Sequence, residues 1–125
     1  MSEPRAIVFF IDPPNSNDLD AGGVGEANDI VVSKGIQHTD WANFPHLGIL
    51  SLASHVDRLP RFEGYYVDGV IHSLGRILAA VRERANRTLA VCLSVITANY
   101  EAAIRIARAV KSIDSHIAIV VGNDL

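Results

Sequence analysis

The chain has a single cysteine, Cys92, among 125 residues. An internal disulfide is therefore excluded. So is an iron–sulfur cluster held by cysteines of this chain alone, because such clusters need several closely spaced thiolates. Cys92 lies in the apolar run 89–96 and reads as a buried, inert thiol. No apolar stretch approaches the ~20 residues of a membrane span. No signal peptide is visible, because residues 1–5 lead straight into a short strand-like run. A soluble, cytoplasmic chain with no membrane partner is the expectation. Basic charge is not in excess either. Eleven Lys and Arg stand against fourteen Asp and Glu, for a formal net charge of −3, so nucleic acid is not an expected partner. Arg76, Arg82, Arg84 and Arg87 share one helical stretch, but they alternate with apolar residues and read as its solvated face.

Apolar residues are plentiful. They make up 49% of the chain against 20% charged, which supplies a real core and argues against disorder. The length suits one domain spanning 1–125.

The apolar material is arranged in alternating patterns. Ala6-Ile7-Val8-Phe9-Phe10-Ile11 reads as a strand buried on both faces, stopped by Asp12-Pro13-Pro14. Residues 13–44 form a long loop rich in Asn, Asp, Gly and Ser, within which Ile30-Val31-Val32 suggests a small strand or a locally packed cluster. Pro45 opens a helical pattern whose stripe is Ile49, Leu52, Ala53, Val56 and Leu59, ended by Pro60. Tyr65-Tyr66-Val67 reads as a second strand, closed by Asp68-Gly69. Leu74, Ile77, Leu78, Val81 and Ala85 mark a second helix, ending near Asn86. Residues 89–96 form a third buried strand. Ala103, Ile106, Ala107, Val110 and Ile113 mark a third helix, with Thr97 or Asn99 as its cap and Glu101 in its first turn. Residues 117–121 form a fourth strand, and Gly122-Asn123 turns out of it. Alternation of this kind predicts an α/β fold with an open parallel sheet. Doubly wound sheets usually continue with another helix and strand, so the chain reads as truncated after its fourth strand.

Ligands of open parallel sheets sit beyond the carboxyl ends of the strands. That rim comprises 12–15, 68–72, 94–99 and 122–124, where small and hydroxyl residues let a large flat ligand approach the backbone. Competing chemistries lack their residues. Gly22-Gly23-Val24-Gly25 lies far from the first strand and is followed by no Lys-Ser/Thr, so it reads as flexible loop rather than a phosphate cradle. A phosphoacceptor domain needs an acid at the end of the third strand, where Ser94-Val95-Ile96-Thr97 offers none. No local motif suggests a Ser-His-Asp set. His38, His46, His55 and His116 show no metal-ligand spacing with each other or with Cys92.

Three motifs in order carry a family resemblance. Phe44-Pro45-His46-Leu47-Gly48-Ile49-Leu50-Ser51-Leu52-Ala53 resembles the proline–leucine–glycine helix start of cobalamin-binding domains that precede radical-SAM catalytic domains. Ser94-Val95-Ile96-Thr97-Ala98-Asn99-Tyr100, followed by Ala103, Ala107, Val110 and Lys111, is similar to that family's third-strand turn and helix. Ile119-Val120-Val121-Gly122 resembles its fourth strand, although the usual glycine pair is broken by Asn123. The long loop after the first strand is family-like as well.

The resemblance implies a flavodoxin-like or Rossmann-like cobalamin-binding fold, with the corrin ring over the carboxyl edge of the sheet. Many family members use methylcobalamin to methylate unactivated carbons. Ser94, Thr97 and Gly122 are the leading cofactor contacts by resemblance: two hydroxyls for the nucleotide tail, and a glycine that spares it a clash. Asn99 and Asn123 are weaker candidates, and Thr97 and Asn99 equally suit helix capping. The Asp-x-His-x-x-Gly motif that supplies an axial histidine elsewhere is absent, so cobalamin would bind without it. His72 follows the second strand on the correct rim; it reads first as a surface histidine and second as a neighbour of the cobalt. The iron–sulfur cluster and S-adenosylmethionine would belong to a radical-SAM domain, in cis or trans, outside this chain. A second expectation is an interaction or oligomerisation domain of the same fold without the cofactor, acting as a homo-oligomer or with a partner. A third, a small nucleotide-binding enzyme, has only the fold behind it.

Overall fold

The computed structural model describes residues 4–14, 47–69 and 72–122. Its elements are β1 (Ala6–Asp12), α1 (Leu47–Asp57), β2 (Phe62–Asp68), α2 (Leu74–Glu83), β3 (Thr88–Ser94), α3 (Tyr100–Ile113) and β4 (Ala118–Gly122). The four strands form one parallel sheet in the order β2-β1-β3-β4. This is the α/β open parallel sheet expected from the alternation, and it is consistent with a flavodoxin-like or Rossmann-like arrangement. The expected small strand at Ile30–Val32, the glycines 22–25, most of the 13–44 loop, the Phe44–His46 start of the first helix and Asn123 lie outside the described residues.

β1 is the centre of the molecule because every side chain from Ile7 to Ile11 is apolar. Successive strand residues face opposite sides, so this run supplies both cores. Ile7, Phe9 and Ile11 join Val67, Val91, Leu93 and Ile117 under α2 and α3. Val8, Phe10 and Tyr66 pack under Ile49 and Ala53 of α1. Each such Ile or Phe contributes roughly 1.5–3 kcal/mol when fully buried. Phe9 meets Tyr65 edge to face, with ring centroids 5.3 Å apart.

The helical stripes at α2 and α3 fall where their spacing predicts. Leu74, Ile77 and Val81 are buried, as are Ala103, Ile106 and Val110. Ser73 starts α2 as its cap, accepting from the Arg76 N–H at 3.3 Å. α2 stops at Glu83 and passes through a 3₁₀ turn, Ala85–Arg87, so it ends before Asn86. On α1 the stripe is rotated from expectation. Leu52 is 56% exposed and Leu59 is exposed, whereas Ile49 and Ala53 are buried. The reason is Gly64 on β2: with no side chain there, the helix backbone settles onto the strand at Ala53.

One further expectation is corrected. The arginines after α2 are not simply a solvated face. The Arg87 guanidinium donates to the Arg5 carbonyl at 3.0 Å and to Glu63 at 3.1 Å, and Arg84 lies 5.4 Å from the centre of the Tyr65 ring. The fourth strand is largely exposed. Val120 is 49% and Val121 62% exposed, because β4 is an edge of the described sheet.

Among the described residues, no helix is long and apolar enough to cross a membrane.

Candidate functional site

The carboxyl ends of the strands bring Asp12, Asp68, Ser94 and Gly122 onto one rim. Parallel register sets this: Asp12 stands beside Asp68, and Ser94 beside Gly122. The rim divides into a closed half and an open half.

The closed half lies over β1 and β2. The Gly69 N–H donates to the Asp12 carbonyl at 2.8 Å, and the His72 N–H donates to the Asp68 carbonyl at 3.0 Å. A β-carbon at Gly69 would fall 2.6 Å from the Asp12 carbonyl oxygen and against the backbone of Pro13 and Pro14. The chain ends of β1 and β2 therefore touch, and only glycine fits between them. Asp68 is buried and His72 is fully buried. The surface reading of His72 is thus corrected: the imidazole is enclosed by the chain and offers no surface to a cobalt above the rim. Nor, among the described residues, does any group of three or more His, Cys, Asp or Glu stand ready to hold a metal ion.

The open half lies over β3 and β4. Ser94 ends β3 in a buried position, and Thr97 stands exposed three residues later. The two strands are stitched beyond their ladder by the Val95 N–H, which donates to the Gly122 carbonyl at 2.9 Å. Gly122 differs from Gly69 in kind. A β-carbon there would meet no described atom within 4 Å. Packing within the described residues therefore gives no reason for a glycine at position 122.

Asn99 occupies the position before α3 but caps no amide of that helix; it closes the short 3₁₀ turn Thr97–Asn99 that leads into it. Its Oδ1 accepts from the Ile96 N–H at 2.8 Å, and its Nδ2 donates to the Ser94 carbonyl at 3.0 Å. At 3% exposure it is spent on the turn and has no free surface for a ligand. Asparagine side chains often bind nearby backbone in this way, so the span Ser94-x-Ile96-x-x-Asn99 carried a signal that a capping template overlooks. Ile96 and Tyr100, about half exposed, flank Thr97 on the same turn and are further rim residues that the motif reading passed over.

Below this rim, Cys92 is half-buried on the α1 side of the sheet, in register with Val120. Burial raises its thiol pKa above the ordinary value.

Comparison with known proteins finds no matching family model, no matching characterised protein and no matching solved structure.

Proposed function

We propose that this chain is a cobalamin-binding domain of a radical-SAM protein, of methyltransferase type, which holds the corrinoid without a histidine of its own as axial ligand. One observation carries the reading: Gly122, beside Ser94 at the carboxyl edge of β3 and β4, has no described atom within 4 Å of where a β-carbon would stand. A bare strand end is a surface that a large flat ligand can approach closely; Ser94 is buried at that edge, and the exposed hydroxyl is that of Thr97. Ser94, Thr97 and Gly122 are the residues that would hold the group. The enclosure of His72 agrees with binding that uses no histidine. When bound, methylcobalamin would supply a methyl group for transfer in a radical-SAM domain, in cis or trans, which would carry the iron–sulfur cluster and S-adenosylmethionine.

The test is a titration of the whole chain with methylcobalamin and with hydroxocobalamin, followed by visible spectroscopy and gel-filtration co-elution. Stoichiometric co-elution of either corrinoid is expected. Absence of co-elution with both overturns the reading.

The second reading, an interaction or oligomerisation domain without cofactor, draws on β4. Its five residues carry no charge and no proline, and Val120 and Val121 are exposed on opposite faces. Strand edges of that composition invite association. Sedimentation at rising concentration separates the readings: self-association that ignores corrinoids supports the second, and a strictly monomeric chain counts against it.

A further inference from the structure

We propose that Asn99 is a positioning residue of this site: it sets the shape of the turn that presents Ser94 and Thr97, without touching the ligand. The inference rests on the cobalamin reading above and adds to it the residue on which the open half of the rim depends.

Besides the 3₁₀ bonds of the turn itself, Asn99 N–H to the Ile96 carbonyl and Tyr100 N–H to the Thr97 carbonyl, three backbone groups between β3 and α3 have identified partners. The Val95 N–H is held by the Gly122 carbonyl of β4. The other two, the Ser94 carbonyl and the Ile96 N–H, are both held by the one amide of Asn99. Ile96 is itself about half exposed, so its N–H is fixed by Asn99 and not by burial of its side chain. Asn99 also begins α3, whose Ala103, Ile106 and Val110 are anchored in the core. The amide therefore ties the turn to a rigid helix on one side and to the end of β3 on the other. A turn held in this way binds with less loss of conformational freedom than one that must order on contact. The donor and the acceptor of the amide are both used, so the residue type is specified. A carbonyl oxygen must meet an N–H, and an N–H must meet a carbonyl.

That requirement provides the test. In Asn99→Asp the ionised carboxylate still accepts from Ile96 but sets its second oxygen against the Ser94 carbonyl. The protonated acid restores an O–H donor at that place and matches the original pattern. Burial raises such a carboxyl pKa while the Ile96 N–H and the start of α3 lower it, so the midpoint in Asn99→Asp is located by NMR titration and one pH above and one below it are chosen. Glu101, the acidic residue of the first turn of α3, is exposed and is present in every variant. Methylcobalamin affinity is measured at both pH values for the wild-type chain, Asn99→Asp and Asn99→Ala. Loss of both turn hydrogen bonds in Asn99→Ala, and of one bond with a carboxylate–carbonyl repulsion in its place in Asn99→Asp, should weaken binding about tenfold at the higher pH. Asn99→Asp should recover to within about twofold of wild type at the lower pH, and Asn99→Ala should not. Amide exchange of Ile96 should be slow in the wild type and fast in Asn99→Ala, with or without corrinoid.

Two outcomes overturn the inference: variants that bind like the wild type at the higher pH, or an Asn99→Asp that stays as weak as Asn99→Ala when acidified. If Asn99→Ala fails to fold, the two pH values in Asn99→Asp alone decide it. A wild-type chain that binds no methylcobalamin overturns the cobalamin reading itself and the ligand role with it. The exchange of Ile96 then reports separately whether the Asn99 clamp exists.

Discussion

Gly64 of β2 lies against the carbonyl oxygen of Ala53 on α1, so close that a β-carbon at position 64 would overlap it. The contact is backbone on backbone, and neither side can turn away. The Gly64 N–H also donates to Asp57 Oδ1 at 3.3 Å, which fixes the end of the same helix. Gly64→Ala should therefore lift α1 from the sheet and cost about 2–3 kcal/mol, as overpacking does. Gly75→Ala is the contrast. It is an exposed position inside α2 where a β-carbon meets no described atom within 4 Å. There the change should stabilise by about 0.5–1 kcal/mol. Chemical denaturation of the two variants checks the opposite signs.

Gly122→Val separates fold from function. A β-carbon there meets no described atom within 4 Å, and the backbone is not in the left-handed region. Valine also suits a strand. Thermal unfolding of Gly122→Val should match the wild type or exceed it slightly. Methylcobalamin affinity should fall by about tenfold or more, because the side chain would occupy the approach to the strand end. Unchanged affinity would remove Gly122 from the site.

Arg87 should matter more than Arg82, although the sequence treats them alike. Arg87 reaches the Arg5 carbonyl with Nε at 3.3 Å and Nη2 at 3.0 Å, and Glu63 at 3.1 Å. Glu63 in turn accepts from the Tyr65 hydroxyl at 3.2 Å. The group is part-exposed, which limits its worth. Arg87→Ala is expected to cost about 1 kcal/mol in denaturant unfolding. Arg82 is exposed, and Arg82→Ala should stay within about 0.5 kcal/mol of wild type.

Cys92 gives a pH dependence with a definite sign. Burial raises its folded pKa above the unfolded value. The thiol's contribution to stability is therefore fully present below the unfolded pKa and is lost as pH rises through the folded pKa. Stability of the wild type should fall more steeply across that alkaline range than stability of Cys92→Ala. At mildly alkaline pH, iodoacetamide should alkylate Cys92 more slowly in the folded chain than in the chain unfolded by urea. Equal rates would show that the thiol is not protected.

The sequence by itself determined the elements and their order. Ile7–Ile11 had to be a strand with two buried faces, and Ile77, Val81, Ile106 and Val110 had to lie on inward helix faces. Periodicity is a local property, and these residues obey it. It also located the rim, because the carboxyl ends of parallel strands follow from the alternation. Tertiary structure decided what each rim and edge residue does. Leu52 belongs to the stripe by spacing but is exposed, since Gly64 draws the neighbouring Ala53 onto β2. Val120 and Val121 have the composition of a buried strand, yet their exposure depends on β4 lying at the edge of the order β2-β1-β3-β4. His72 reads as a surface residue in the sequence but is fully buried in the fold. Asn99 looks like a helix cap in the sequence and is a clamp in the fold, because its amide found the Ser94 carbonyl and the Ile96 N–H before any amide of α3. For Leu52 and Asn99 the deciding partner stands on another element or across a turn, and neither composition nor spacing names a partner.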